Sequence, residues 1–271
     1  MTPVGLLLII VLGVGVGAFG SLLGVGGGLI MVPFLHLIFH APFRTAIGIS
    51  LLSIIATASG AASIYARQGK VAIRLGIVLE LATVTGGITG GVLAGWLSEQ
   101  ILSFLFALLL IFTAWTMMHT ANQTERASDR PGEGHEEKAS DIPGKNLPLG
   151  LGGSFVAGMS AGLLGIGGGV IKVPLMHEVM GVPFKIATAT STFMMGVTAT
   201  ATALIYYSRG DIDPLLAAPM ILGILLGASG GARLSERLPT RLLKLSFAGV
   251  LLYFALVLLL RSLGMSPFHG R

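Results

Sequence analysis

Charged residues are scarce in this sequence and make up 11% of its 271 residues, whereas ordinary globular chains carry about 25%. Apolar residues make up 53%. Several apolar stretches reach the roughly 20 residues with which a helix crosses a bilayer. This composition excludes a soluble enzyme, a disordered scaffold and a nucleic-acid-binding protein, and it predicts a polytopic membrane protein.

The sequence also lacks cysteine. Disulfides, cysteine-ligated metals and thiol catalysis are therefore excluded. Neither a P-loop nor the H-E-x-x-H motif is present, so ATP is not a direct energy source within this chain and an intramembrane metalloprotease is disfavoured. We expect no enzyme activity, no cofactor and no bound metal.

The two halves of the sequence repeat each other. A shift of 141 residues superposes LGVGGGLIMVP at 23–33 on LGIGGGVIKVP at 164–174, and 19 of the 47 positions from 23 to 69 are identical. The matches include glycine, proline, serine and tyrosine, so shared apolar composition does not explain them. The repeat predicts three parts: a first membrane repeat at 1–119, a hydrophilic linker at 120–146 and a second membrane repeat at 147–271.

Polar residues divide each repeat into five apolar segments, which predicts an all-α fold with about ten membrane segments. The second segment of each repeat has about 16 residues and follows a glycine cluster, so we expect a half-helix or a re-entrant element there. An alternative joins the first two segments of each repeat into one crossing, which leaves eight spans. The predicted segments are 4–23, 25–40, 45–66, 71–98 and 101–119, then 147–164, 166–181, 186–207, 213–234 and 241–261.

Lysine and arginine are distributed unequally between the two predicted faces. If the first two segments of each repeat return the chain to its starting face, one face receives twelve basic residues and the other four. Eight spans would divide them ten to six. Because basic loops favour the cytoplasmic side, the first arrangement is preferred. It predicts inverted repeats, a cytoplasmic linker and both termini outside.

Each repeat carries three clustered glycines inside an apolar stretch: Gly26, Gly27 and Gly28, then Gly167, Gly168 and Gly169. Each glycine costs a helix about 1 kcal/mol relative to alanine, so the helix is predicted to break. The helix that restarts presents free N–H groups and its positive dipole end to an anion, and such paired breaks mark the midplane site of a transporter. We predict a small anion between the two clusters. Helix packing is the alternative, and it is favoured for Gly87, Gly91 and Gly95.

The repeated motif L-G-[VI]-G-G-G-x-[IL]-x-V-P, followed by P-F-[RK]-x-A and a polar linker, resembles the TauE/SafE family of sulfite and organosulfonate exporters. The resemblance covers both halves of the chain. It implies a carrier in the cytoplasmic (inner) membrane of a bacterium or archaeon, with sulfite, thiosulfate or an organosulfonate such as sulfoacetate as substrate. The residues themselves support only a small anion.

Hydroxyl side chains near the glycine clusters are candidate anion ligands. Ser50 and Ser191 occupy equivalent positions in the two repeats, and Thr190 precedes Ser191. A hydroxyl group donates a hydrogen bond to an oxyanion without carrying a charge into the membrane. Hydrogen bonding between helices is the alternative role.

Lys172 lies three residues after Gly169, where the first repeat has Met31. A lysine at membrane depth costs on the order of 2.5–3.5 kcal/mol on insertion scales, so an intramembrane charge is a functional hypothesis by default. Lys172 is predicted to attract the anion. The alternative is a lysine whose side chain extends to the outer interface.

Three residues are candidates for proton coupling. Glu80 stands alone in the fourth segment, and its alternative role is an ion pair with a basic residue such as Arg74 or Lys172. His36 and His177 are repeat equivalents, and imidazole titrates near neutral pH. A packing or interfacial role is the favoured alternative for the histidines.

These features together predict a secondary transporter that works by alternating access, one half moving against the other, with a proton or the membrane potential as the driving force. An anion channel of the same architecture and a carrier for a non-sulfur anion are the alternatives. The predicted partners are the small anion and the lipid bilayer, and the oligomeric state is left open.

Overall fold

The structure is a computed structural model that describes residues 3–23, 27–128, 145–235 and 240–262. Every regular element in these ranges is helical, which confirms the predicted all-α class. A π-helical turn, Leu175–Val179, extends α7. The helices are α1 Pro3–Leu23, α2 Gly28–Ile38, α3 Phe43–Arg67, α4 Ile73–Trp96, α5 Glu99–Ser128, α6 Leu147–Leu164, α7 Gly169–Pro174, α8 Phe184–Ser208, α9 Pro214–Ser235 and α10 Thr240–Ser262.

The predicted segments agree with these helices to within a few residues, except at the end of α5. This helix has 30 residues and continues through 120–128, the first part of the predicted linker. The residues there are hydrophilic but include good helix formers such as Gln123, Glu125 and Arg126. Residues 129–144 of the linker lie outside the described residues.

Five helices in the described part of the chain are long and apolar enough to cross a membrane: Phe43–Arg67, Ile73–Trp96, Glu99–His119, Leu147–Leu164 and Leu245–Ser262. Large apolar side chains also cover the outside of the molecule, among them Trp96 at 81% exposure and Leu81 at 69%. Water would not favour so extensive an apolar surface, whereas the hydrocarbon of a bilayer accommodates it. The chain is therefore a multi-pass membrane protein.

Each of the main helix contacts has a counterpart between the equivalent helices of the two repeats. Helix α1 packs on α9 as α6 packs on α4, and α2 packs on α3 as α7 packs on α8. Helices α3 and α8, which are repeat equivalents, pack on each other, and so do α5 and α10. Most of these contacts join the two halves of the chain, whereas α2 on α3 and α7 on α8 pack within one half.

Small residues on α4 allow other helices to approach it closely. A Cβ atom at Gly87 would lie 2.8 Å from Thr202 Oγ1, and one at Gly91 would lie 3.2 Å from Thr202 Cγ2, both in α8. Gly95 faces the guanidinium group of Arg209. The packing role predicted for these three glycines is confirmed.

Candidate functional site

The chain between α6 and α7 forms a glycine turn at residues 165–168, here called the second glycine turn. Helix α6 ends at Leu164, and Gly165, Gly167 and Gly168 have φ angles of 69°, 71° and 70°. L side chains rarely adopt this left-handed conformation, whereas glycine adopts it readily. The sequence therefore needs glycine at these positions, and α7 begins immediately afterwards at Gly169.

The equivalent part of the first repeat lies between α1 and α2. Helix α1 ends at Leu23, and α2 begins at Gly28 directly after Gly27, whose φ angle is 73°. The predicted site residue Gly26 lies outside the described residues. Gly27 and Gly168, which are repeat equivalents, thus share the left-handed conformation and the position preceding a helix.

Gly28 lies directly against the second glycine turn. A Cβ atom on Gly28 would lie 2.7 Å from the carbonyl oxygen of Gly165 and 2.8 Å from the hydroxyl oxygen of Ser50. The Ser50 hydroxyl donates a hydrogen bond of 2.7 Å to that carbonyl oxygen. Ile54 contacts both regions, because its Cδ1 atom is 3.2 Å from the Cβ position of Gly28 and 3.3 Å from that of Gly167. The start of α2 and the second glycine turn are therefore neighbours.

This region lies halfway along the two central helices. Ile54 is 11 residues from the first residue of α3 and 13 from the last. Its repeat equivalent Met195 has the same position in α8, and its sulfur is 2.8 Å from the Cβ position of Gly169. Both helix starts therefore lie beside the middle of α3 or α8, and α3 is long and apolar enough to span a membrane.

The starts of α2 and α7 are buried and lack side-chain caps. Gly27 and Gly168 precede the two helices, and neither helix has a side-chain cap hydrogen bond. Gly27, Gly28, Gly168 and Gly169 are all buried. The first N–H groups of a helix have no partner within the helix, and they carry the positive end of its dipole. The arrangement is chemically suited to an anion.

Apolar side chains lie next to both turns in this conformation. Ile54 and Met195 contact the glycines from α3 and α8, as their distances above show. A cavity of about 470 Å³ lies elsewhere, in an apolar groove between α3, α8 and α9 that is lined by residues such as Leu52, Tyr207 and Ile221. Access of an anion to the turns would therefore require the two apolar side chains to move.

The structure brings two of the three predicted hydroxyl ligands to the turns. Ser50 bonds to the Gly165 carbonyl, and the hydroxyl oxygen of Ser191 lies 3.6 Å from the Cβ position of Gly169. The Ser191 hydroxyl is buried and has no hydrogen-bond partner among the described residues. Thr190 lies instead against the start of α4, where its hydroxyl accepts a hydrogen bond of 3.0 Å from the N–H of Ala72.

Lys172 and Glu80 form a buried cluster with Thr198, here called the Lys–Glu–Thr cluster. Lys172 Nζ lies 3.6 Å from Glu80 Oε2 and donates a hydrogen bond of 3.2 Å to Thr198 Oγ1. Thr198 in turn donates a hydrogen bond of 2.5 Å to Glu80 Oε1. The lysine side chain is 1% exposed, so the interfacial alternative for Lys172 is wrong. The predicted ion pair of Glu80 is present, and its partner is Lys172, not Arg74.

The Lys–Glu–Thr cluster adjoins the second glycine turn. A Cβ atom on Gly168 would lie 3.4 Å from Cε of Lys172, because side chains on a helix point back towards its N-terminus. The repeat equivalents of Lys172 and Glu80 are Met31 and Ile221, neither of which is charged. The ion pair is therefore present beside the start of α7, and the equivalent positions beside the start of α2 have no such pair.

His36 and His177 occupy equivalent positions at the ends of the two short helices. In each, Nδ1 lies 2.9 Å from a main-chain carbonyl oxygen, that of Ala41 for His36 and that of Val182 for His177. Each ring also contacts the first phenylalanine of the next helix edge-on. This geometry corresponds to the packing alternative for both histidines.

Two anchors of α8 were not predicted from the sequence. The buried hydroxyl of Tyr206 donates a hydrogen bond of 2.8 Å to the carbonyl oxygen of Gly162 in α6. Arg209 Nη1 donates one of 2.8 Å to the carbonyl oxygen of Gly91 in α4. The repeat pairs Tyr206 with Tyr65, but it gives no information about which helix the hydroxyl contacts. Thr198 was missed for the same reason.

Helices that begin at buried glycine turns halfway through a multi-pass protein, beside a buried ion pair, are typical of membrane transporters. Comparisons with known proteins also indicate a membrane transporter. A probable membrane transporter protein of Bacillus subtilis, YunE, is 27% identical over 247 residues, which cover 86% of this chain and 90% of that protein. A probable membrane transporter protein of Methanocaldococcus jannaschii is 27% identical over 271 residues, covering 93% and 95% of the two chains.

The family assignment follows from a match over nearly the whole chain. The sequence pattern of the family described as Sulfite exporter TauE/SafE matches residues 9–258, so this chain belongs to that family, as the glycine motifs predicted. An Arabidopsis thaliana protein named Sulfite exporter TauE/SafE family protein 5 is 31% identical over 110 residues, covering 41% of this chain and 24% of that protein. No solved structure matches this chain.

Proposed function

We propose that this protein is a secondary transporter that carries a small sulfur-containing anion across the cytoplasmic membrane. Membership of a family described as sulfite exporters supports sulfite, thiosulfate or an organosulfonate such as sulfoacetate as the substrate. The observation that carries the proposed site is the close approach of Gly28, at the buried and uncapped start of α2, to Gly165 in the second glycine turn, which leads into the buried and uncapped start of α7.

In the proposed site, the anion lies between the start of α2 and the start of α7. The main-chain N–H groups at the two helix starts donate hydrogen bonds to its oxygens, as they do at other anion-binding helix ends. The hydroxyl of Ser191, which has no partner among the described residues, adds another donor. Lys172 supplies a positive charge, and Ser50 holds the second glycine turn in place through its hydrogen bond to the Gly165 carbonyl oxygen.

We also propose that the two repeats are inverted with respect to each other. Helices α3 and α8 run antiparallel: the Cβ position of Gly48 near the start of α3 lies 3.6 Å from Tyr206 near the end of α8, and that of Gly196 lies 3.4 Å from Ala58. Because α3 and α8 are equivalent in the sequence repeat, their opposite directions support an inverted arrangement. Inverted repeats are a common basis of alternating access.

The proposed parts are a first repeat at 1–119, a cytoplasmic linker at 120–146 and a second repeat at 147–271, with both termini outside. Movement of one repeat against the other would separate Ile54 from Met195. The anion would then reach the turns from one face at a time. The present conformation, in which both side chains contact the turns, corresponds to a closed site.

Counterflow in proteoliposomes tests this proposal. Vesicles loaded with unlabelled sulfite should accumulate labelled sulfite through the wild-type protein, because a carrier exchanges substrate faster than it moves it in one direction. The Gly168→Leu variant should not, since a side chain there is strained by a φ of 70° and would meet the Ala157 carbonyl oxygen at 2.7 Å. Gly152→Leu, at a position with open space around it, is the matched control.

The two alternatives give different results in the same vesicles. A channel would carry an anion current and show no acceleration by sulfite on the opposite side. A carrier for a non-sulfur anion would show counterflow with that anion and none with sulfite, thiosulfate or sulfonates. Counterflow of sulfite by Gly168→Leu at the wild-type rate would remove the glycine turns from the site.

A further inference from the structure

Among the described residues, the Lys–Glu–Thr cluster has no further charged group beside it. Its carboxylate, Glu80, lies on α4, which packs against α6 and α8. Helix α6 contains no titratable residue, and the charged residues at the starts of α4 and α8, Arg74 and Lys185, are six and thirteen residues from the cluster along their helices. The tyrosines of α8 lie near its end. Lys172 is thus the titratable group that faces Glu80 from the packed elements.

The ion pair is incompletely hydrogen-bonded. Glu80 Oε2 is buried and has no hydrogen-bond partner among the described residues, since its distance of 3.6 Å from Lys172 Nζ is too long for one. An ammonium group has three N–H donors, and Thr198 accepts from Lys172 at 3.2 Å. Buried charges are normally satisfied by close hydrogen bonds. Both members of this pair therefore retain capacity for another partner.

The position of the pair connects it to the proposed anion site. The aliphatic part of the Lys172 side chain adjoins Gly168 in the second glycine turn. The repeat equivalent of Lys172 is Met31, and that of Glu80 is Ile221, so the scaffold itself does not need the ion pair. One positive charge, balanced by one carboxylate, is thus placed next to one of the two turns.

We propose that Glu80 is the resident counter-ion of Lys172 and that the transported anion replaces it, so that one proton binds to Glu80 with each anion. This inference rests on the proposed function and specifies its coupling ion. Protonation of the carboxylate neutralises it and releases the ammonium group. Lys172 then donates to an anion oxygen, while the protonated Glu80 stays bonded to Thr198.

Charge balance specifies the class of substrate. Before the exchange, the site contains the positive charge of Lys172 and the negative charge of Glu80. After it, Glu80 is neutral, and an anion with a single charge again balances Lys172. An anion with two charges would leave one negative charge without compensation in a buried site, which is costly. Among the proposed substrates, the site therefore favours hydrogensulfite and singly charged sulfonates over thiosulfate and doubly charged sulfoacetate.

Proton uptake on binding tests the exchange. Methanesulfonate, which has one charge at any accessible pH, is titrated into the purified full-length protein in two buffers of different ionisation enthalpy, and the difference in heat gives the protons bound. We expect one proton per anion for the wild type. Glu80→Gln should bind the anion with no proton uptake, because the neutral amide resembles the protonated acid. Glu178→Gln, a change at a side chain that is 76% exposed, should keep the wild-type stoichiometry.

A double variant distinguishes weaker binding caused by the loss of the two charges from weaker binding caused by misfolding. Glu80→Ile with Lys172→Met gives each position the residue of its repeat equivalent, Ile221 or Met31, so it removes both buried charges together and leaves neither unpaired. It should fold, bind methanesulfonate about tenfold more weakly or worse, and take up no proton. Wild-type affinity in this variant would overturn the role of Lys172.

The outcomes distinguish this inference from the function on which it rests. Wild-type protein that binds methanesulfonate without proton uptake would overturn the exchange and leave the anion site intact. Loss of binding in Glu80→Gln, with the wild-type melting temperature retained, would also overturn it. Wild-type protein that binds neither methanesulfonate nor sulfite would remove the proposed function and the exchange together.

Discussion

The hydroxyl group of Ser50 in α3 is bonded at 2.7 Å to the carbonyl oxygen of Gly165 in the second glycine turn. One half of the chain is thereby attached to the helix break of the other half. Ser191 holds the equivalent position in α8, is fully buried and has no hydrogen-bond partner among the described residues. The two serines are equivalent in sequence, but only Ser50 has a structural bond.

This difference predicts that matched substitutions of the two serines affect different properties, stability for Ser50 and sulfite binding for Ser191. Ser50→Ala should lower the free energy of unfolding by about 1 kcal/mol, because it removes the bond to a buried carbonyl. Ser191→Ala should leave stability unchanged and weaken the binding of sulfite, since its hydroxyl is available to the anion. Thermal unfolding of the purified variants and sulfite titrations measure both effects. Equal losses of stability in the two variants would contradict this assignment.

The anchor of α8 on α6 gives a prediction about stability alone. Tyr206→Phe removes the hydrogen bond to the Gly162 carbonyl and should cost about 1 kcal/mol of the free energy of unfolding. Tyr65→Phe is the matched control at the equivalent position, where the side chain is only half-buried. A melting temperature lowered as much by Tyr65→Phe as by Tyr206→Phe would show that the anchor has no special role.

The histidines provide a test of where the proton binds. Each imidazole Nδ1 is bonded to a carbonyl oxygen at the end of a short helix. The double variant His36→Gln with His177→Gln, in which an amide N–H replaces the imidazole donor, should therefore still take up one proton with each methanesulfonate. Loss of proton uptake in a variant that folds would transfer the coupling from Glu80 to the imidazoles.

The sequence predicted the helices well because polar and glycine residues separate its apolar segments. It did not predict the end of α5, since hydropathy shows where a membrane span ends and not where the helix ends. Residues 120–128 are hydrophilic, yet they continue the helix. Three clustered glycines in each repeat disfavour a continuous helix, and Gly27, Gly167 and Gly168 of these clusters have left-handed φ angles.

The side-chain partners were less predictable. Thr190 and Ser191 are neighbours in the sequence, but successive residues of a helix point about 100° apart, and only Ser191 lies at a glycine turn. The ion pair of Glu80 was anticipated with either Arg74 or Lys172 as its partner. The choice depends on how α4, α7 and α8 pack together, which one sequence does not reveal. The same packing adds Thr198 to the pair.

The most direct test of the central claim is the affinity for sulfite of two purified alanine variants in α2 and α3. A Cβ atom at Gly28 would meet the Gly165 carbonyl oxygen at 2.7 Å and the Ser50 hydroxyl at 2.8 Å, whereas Gly60 has open space around it. We predict that Gly28→Ala weakens sulfite binding about tenfold or more, because it forces the start of α2 and the second glycine turn apart, and that Gly60→Ala binds like the wild type. Sulfite binding by Gly28→Ala with wild-type affinity would contradict a site between the two turns.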